Sequence, residues 1–163
     1  MASFADRLLH WYDAQKRDLP WRHQRDAWAI WVSEIMLQQT RVEAVREPYS
    51  RFLDRYPTPQ AWARVSEDEL LTAWQGLGYY RRARLLRDGA KAVVEQHAGA
   101  VPSEPEAIHA LPGVGQYTAG AIASIAFGHP VPAIDGNVER VAARHRGIDD
   151  NVKRAAGARP RQP

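Results

Sequence analysis

The sequence contains no cysteine, which excludes disulfides, thiolate catalysis and cysteine-ligated metals within its 163 residues. Its six histidines are scattered, with no His-x3-His pair on a helix, so no zinc site is expected. No apolar run approaches the ~20 residues of a membrane span. Asp6 and Arg7 fall within the first amphipathic turns, which reads against a signal peptide. Lysine is sparse, with none between Lys91 and Lys153. Credible strands are missing as well, since Val131-Pro-Ala-Ile134 is short and interrupted by proline. The chain also lacks a strong charge of one sign. The net +3 comes from the C-terminal end, where seven basic residues from Arg140 onward face only Asp149 and Asp150. Residues 1–139 hold 15 basic and 17 acidic side chains, so the body is not basic. What remains, 45% hydrophobic and 25% charged, fits a globular domain with a real core.

The hydrophobic periods are helical throughout, and the fold class is all-α. Phe4, Leu8, Trp11 and Tyr12 mark a first helix that ends before Leu19-Pro20-Trp21. Trp28, Trp31, Val32 and Ile35 form the stripe of a second, and Val42, Val45, Tyr49 and Phe52 that of a third, bent at Pro48. Thr58-Pro59 is an N-cap and first-turn pair. Ser66 with Glu69 reads as a capping box, opening a helix through Trp74, and Ser103 with Glu106 as another. Between them a helix runs from Tyr80 to about His97 and ends at Gly99. From about Ala156 the stripe disappears and the chain reads as a frayed tail.

Three segments carry chemistry. Leu111-Pro-Gly-Val-Gly115-Gln-Tyr-Thr-Ala-Gly120 is a glycine turn between a short helix (Pro105 to Ala110) and an alanine-rich one (Tyr117 to Phe127). Such a turn brings backbone close to a ligand, and unpaired N–H groups at the new helix start attract a phosphate. Asp135, 22 residues beyond Gly113 and just ahead of another helix, adds a carboxylate to that grip. An interhelical turn and an ordinary N-cap would explain either element alone, but not the two together. In the second helix, Glu34 lies about 120° from Trp28 at 100° per residue, with Gln38 and Arg41 continuing its row. Neighbours Trp31, Ile35, Met36 and Leu37 would desolvate the Glu34 carboxyl and raise its pKa. The run Gln38-Gln39-Thr40 offers amides where a ligand could sit. Gly76-Leu-Gly-Tyr-Tyr80 precedes Arg81, Arg82, Arg84, Arg87 and Lys91, a pattern suited to base wedging with phosphate contact. A buried aromatic pair and a solvated charged face are the competing readings, and these residues alone leave both open.

Together with Leu19-Pro-Trp-Arg22, Trp31-Val-Ser-Glu-Ile-Met-Leu-Gln-Gln-Thr40 and Asp135-Gly-Asn-Val-Glu-Arg140, these segments resemble the helix-hairpin-helix DNA glycosylases. Within them the resemblance is to the MutY-type adenine DNA glycosylases, in family order over roughly residues 5–155.

The resemblance implies a six-helix barrel domain over residues 21–133, with the hairpin at about 105–127. Residues 1–20 would be a helix packing on a second domain, of which 134–155 is the start and 156–163 a tail. The implied function is base-excision repair, cutting the glycosidic bond of adenine mispaired with guanine or 8-oxoguanine in double-stranded DNA, with no membrane and no obligate protein partner inferable. A cytoplasmic, nucleoid-associated location would follow in a bacterium. Glu34 would be the general acid, Asp135 the ionised carboxylate that stabilises the sugar cation, and Asn137 and Tyr117 their supports. Arg22, Gln38, Gln39, Thr40, Tyr79, Arg81, Leu111, Gly113, Val114, Gly115 and Thr118 would contact DNA or substrate. No metal is expected on this chain. Relatives of this type carry a 4Fe–4S cluster, for which no cysteine ligands are present here, so the iron–sulfur domain is expected to be incomplete and excision by these residues alone weak. Two alternatives remain at this point. One is an inactive fragment or non-catalytic DNA-binding module. The other is an endonuclease-III-like glycosylase/lyase, disfavoured because Tyr117 stands where that chemistry needs an amine.

Overall fold

A computed structural model of the chain describes residues 2–148. Among the described residues it is all-helical, with no strand. The tail expected from residue 156 lies outside them. The order is α1 (Phe4–Gln15), a 3-10 turn (Pro20–His23), α2 (Ala27–Leu37), α3 (Val42–Arg55), α4 (Pro59–Ala63), α5 (Glu67–Ala73), α6 (Arg81–Gln96), α7 (Pro105–His109), α8 (Gln116–Phe127) and α9 (Gly136–Arg146).

Local chemistry accounts for most starts. Thr58 caps α4 ahead of Pro59, and Ser66 with Glu69 forms the expected capping box on α5. The box expected at Ser103 does not form. The N-cap of α7 is Glu104, and Ser103 Oγ only reaches the Glu104 carboxylate at 3.3 Å. Pro105 is the reason. Its ring fits the first helical position and holds the preceding residue extended, which moves the cap one residue along. Pro48 interrupts nothing, because α3 is continuous through it.

The second helix is the axis of the fold. The stripe Trp28, Trp31, Val32, Ile35 is buried, but so are Ala29, Ile30, Ser33 and Met36. A helix buried on nearly every side cannot be amphipathic, and Glu34 is its one acidic residue. α2 packs against α3, α6 and α8, while α4 packs on α6 and α7 on α8. Trp28, Trp62 and Trp74 converge on Phe52, with Phe52–Trp62 ring centroids 4.6 Å apart. Fully burying such side chains stabilises a fold by about 1.5–3 kcal/mol each.

α1 lies apart from this core. It buries no residue, and Phe4, Leu8, Leu9, Trp11 and Tyr12 are all exposed. It touches α9, where Phe4 stacks on His145 with ring centroids 4.1 Å apart, and the 3-10 turn, where Arg22 lies over the Tyr12 ring. No described helix is long and apolar enough to cross a membrane.

Candidate active site

Two close approaches build the site. Gly113 has φ +77°, and a Cβ there would stand 2.7 Å from Leu85 Cβ, so the turn between α7 and α8 needs glycine for conformation and for contact with α6. Gly120 lets α8 touch the returning chain, since a Cβ there would lie 2.3 Å from the Pro132 carbonyl. That contact fixes the segment delivering Asp135 beside the start of α8.

Asp135 is the N-cap of α9. Its Oδ1 accepts from the Asn137 and Val138 N–H groups at 3.0 and 2.8 Å, and its Oδ2 from the Asn137 side-chain amide at 3.0 Å. Asn137 is held in turn by Arg140, which donates to its Oδ1 at 3.0 Å. The Val138 N–H, with the Asn137 donors, holds the Asp135 carboxyl below the usual range, so it is ionised at neutral pH.

Glu34 behaves oppositely. Burial in α2 raises its pKa above the ordinary 4.5. The Tyr117 phenol facing it acts in the other direction by hydrogen bonding, and the nearby Asp135 charge raises it further. The Tyr117 hydroxyl is itself pushed up to about 12, by burial first and then by the Glu34 charge, so it remains a neutral donor. Two carboxyl groups from helices a hundred residues apart thus share one neighbourhood with opposite proton preferences. Glu34 opens onto a cleft of about 520 Å³ whose walls include Tyr12, Trp21, Arg22, Ser33 and Leu37, a volume in the usual range for ligand sites.

This arrangement has a stability consequence. A carboxyl whose folded pKa is raised costs nothing below its unfolded value, and destabilises increasingly as pH rises through the folded value. Glu34→Gln removes that penalty. The variant is expected to melt above the wild type at and above neutral pH, with the gap closing below pH 4.5. Equal melting curves at neutral pH, read by circular dichroism, would return Glu34 to an ordinary solvated residue.

The other expected residues divide into groups. Arg22 lines the cleft, donating to the Arg17 carbonyl at 2.9 Å with its guanidinium over the Tyr12 ring. Gly113 and Gly115 are exposed, and α8 has no side-chain N-cap, unlike α2, α4, α5 and α9. The first N–H groups of α8 are therefore open to an anion. Leu111, Val114 and Thr118 have buried side chains, which pack rather than reach a ligand. Gln38 and Arg41 do not continue the Glu34 row. α2 stops at Leu37, Gln39 turns left-handed (φ 57°), and Arg41 begins α3. The arginine run also needs correction as a phosphate-contact face. Arg84 and Arg87 bind Glu67 at 2.6 and 2.9 Å and Arg82 is buried, while Arg81 and Lys91 are exposed. The signal for Arg82 was its register, since it falls on the stripe of Leu86, Gly89 and Val93 at helical spacing. Tyr12, a wall of the cleft, was read only as part of an apolar stripe.

The structure thus sets a glycine hairpin with an uncapped helix start near two carboxyl groups of opposite pKa shift, of which Glu34 lines the cleft and Asp135 does not. The match to the model of the HhH-GPD superfamily base excision DNA repair proteins, over residues 32–159, shows that the chain belongs to that family. It is 50% identical over 157 residues to an adenine DNA glycosylase of Rattus norvegicus, covering 91% of this chain and 30% of that one. Among solved structures it is similar to a thermostable thymine-DNA glycosylase, with a TM-score of 0.81 and 33% identity over 85% of this chain and 64% of the other. It is also similar to an endonuclease III trapped as a covalent intermediate with DNA, with a TM-score of 0.77 and 28% identity over 91% and 70%. The chain thus spans about 30% of the length of the rat relative. It has no cysteine with which to hold an iron–sulfur cluster.

Proposed function

We propose that this chain carries the catalytic pair of a monofunctional adenine DNA glycosylase, acting on adenine mispaired with guanine or 8-oxoguanine in double-stranded DNA. The observation that carries the reading is the pairing of a protonation-prone Glu34 with an ionised Asp135 across Tyr117. The likeness to adenine DNA glycosylases supports adenine as the base.

The hairpin start, with the open N–H groups of α8, takes a phosphate of the strand and positions without reading sequence. The target nucleotide swings out of the stack into the cleft at Glu34. Glu34 gives its proton to an adenine ring nitrogen, and the C1′–N9 bond breaks with its electron pair going to the base. The sugar is left as an oxocarbenium-like cation, which the fixed negative charge of Asp135 stabilises. Water adds to C1′ and passes a proton to the Glu34 carboxylate, which restores the acid and leaves free adenine and an intact abasic strand. Asn137 orients Asp135, and the neutral Tyr117 phenol faces Glu34.

A lyase would need an amine nucleophile at the base of α8. Tyr117 occupies that place, and the described lysines are Lys16 and Lys91 alone. Single-turnover assays with protein in excess are therefore expected to release free adenine without strand cleavage. Borohydride is expected to trap no protein–DNA adduct. An adduct forming at the rate of base release would overturn the assignment.

A further inference from the structure

Arg82 is buried, with 8% of its surface exposed, and no carboxylate accompanies it. Its guanidinium instead meets oxygens from two loops. Nη1 donates to the carbonyls of Ile35 at 2.9 Å, Met36 at 3.0 Å and Gln38. Nη2 donates to Thr40 Oγ1 at 2.9 Å and to the carbonyls of Leu77 at 2.9 Å and Gly78 at 3.3 Å. The first loop is the end of α2, whose last carbonyls have no helical partner and whose dipole favours a cation. The second is the glycine turn ahead of α6. The guanidinium also lies 5.5 Å from the centroid of the Tyr79 ring.

Each loop holds one non-glycine residue in left-handed backbone geometry, Gln39 at φ 57° and Tyr79 at φ 47°. Both are exposed, and the Tyr79 ring is 63% exposed, unusual for an aromatic side chain that nothing covers. Such conformations cost about 1–3 kcal/mol and persist only where the surroundings over-determine them. Here one planar fork supplies the determination on both sides. Nη1 bonds only the first loop while Nη2 bonds both, through Thr40 on one side and Leu77 and Gly78 on the other, so one guanidinium ties the two loops together.

We propose that Arg82 is a positioning residue that fixes the Gln39 and Tyr79 loops as a single rigid two-pronged element, so that the pair unstacks DNA as a unit. The proposal rests on the proposed glycosylase function and on the expectation from the family resemblance that Gln39 and Tyr79 contact the duplex. It adds that their joint action is set by a buried group that touches no DNA. Lysine cannot replace it, because a point ammonium has neither the planar fork nor the donors to bridge two loops.

The test uses a duplex with 2-aminopurine opposite guanine, whose fluorescence rises on unstacking, titrated with the whole chain to saturation. Arg82→Lys is expected to lower the saturating amplitude roughly tenfold, within the coupling range of contacting residues. The dissociation constant should change less than about threefold, because phosphate contacts dominate affinity. Arg82→Lys added to Tyr79→Ala should lower the amplitude little beyond Tyr79→Ala alone. Full amplitude in Arg82→Lys, multiplicative losses in the double variant, or amplitude and affinity falling together with the melting temperature would overturn the proposal and leave the earlier reading standing. Should Arg82→Lys fail to fold, Arg82→Gln decides, since a neutral amide cannot bridge both loops and leaves no unpaired buried charge. Reduced amplitude at unchanged affinity supports the proposal, and wild-type amplitude overturns it. No fluorescence rise with the wild type, or full amplitude in both Gln39→Ala and Tyr79→Ala, would remove the underlying reading and the proposal with it.

Discussion

Glu34→Gln is expected to slow adenine release by about 10²–10⁴-fold, the range that general acid catalysis contributes, while duplex affinity stays essentially as in the wild type. The amide keeps the shape and volume of the carboxyl but has no proton to give the departing base. Burial is what fits Glu34 for the task, because the desolvation that raises its pKa favours the protonated carboxyl. The affinity should hold because the hairpin and the uncapped start of α8 are separate from the acid. Single-turnover kinetics beside a binding titration make the comparison. A loss below about tenfold, far short of that range, would leave the acid unidentified. The stability gain expected of the same variant makes the test unusually clean, since slower chemistry in a better-folded protein cannot be blamed on unfolding.

Asp135→Asn is expected to cost about 10²–10³-fold in single-turnover rate, the magnitude seen when one preorganised electrostatic contact is removed from a transition state. Asparagine is as good an N-cap as aspartate, so α9 should keep its start and the melting temperature should move little. What disappears is the negative charge facing the sugar cation. Asp135→Ala would confuse the two roles, because it also removes the acceptor for the Asn137 and Val138 N–H groups. Equal rates for Asp135→Asn and the wild type would confine Asp135 to capping. Because the two carboxyl groups serve one bond-breaking event, the losses in the Glu34→Gln, Asp135→Asn double variant should fall well short of multiplying.

Much of this was legible before any coordinates. Helix existence followed from apolar spacing and from caps whose chemistry is local, as at Thr58, Ser66 and Asp135. The hairpin was legible because glycine and proline carry strong local meaning, whereas the pairing of Glu34 with Asp135 came from the family resemblance. What stayed hidden depends on three-dimensional packing. The Ser103 box failed because Pro105 overrode a generic pattern one residue away. The Glu34 row failed because α2 terminates at Leu37, where Arg82, from a helix more than forty residues further on, takes up its last carbonyls. Arg82 itself sat inside a run that charge alone would place in solvent. Only its coincidence with the apolar register of α6 marked it as internal, and a charged residue at a stripe position is easily mistaken for an interruption.

The measurement that bears most directly on the central claim is a pH titration of the side-chain carboxyl carbons of Glu34 and Asp135 by NMR, on the chain without DNA. It requires no turnover, so it separates the site from the reaction. The account predicts divergence, with Glu34 titrating above 4.5 and Asp135 below 3.8, and with Glu34 shifting when Tyr117 is replaced by phenylalanine. Two ordinary titrations, or an inverted order with Glu34 the stronger acid, would contradict the division of labour on which the proposed chemistry depends.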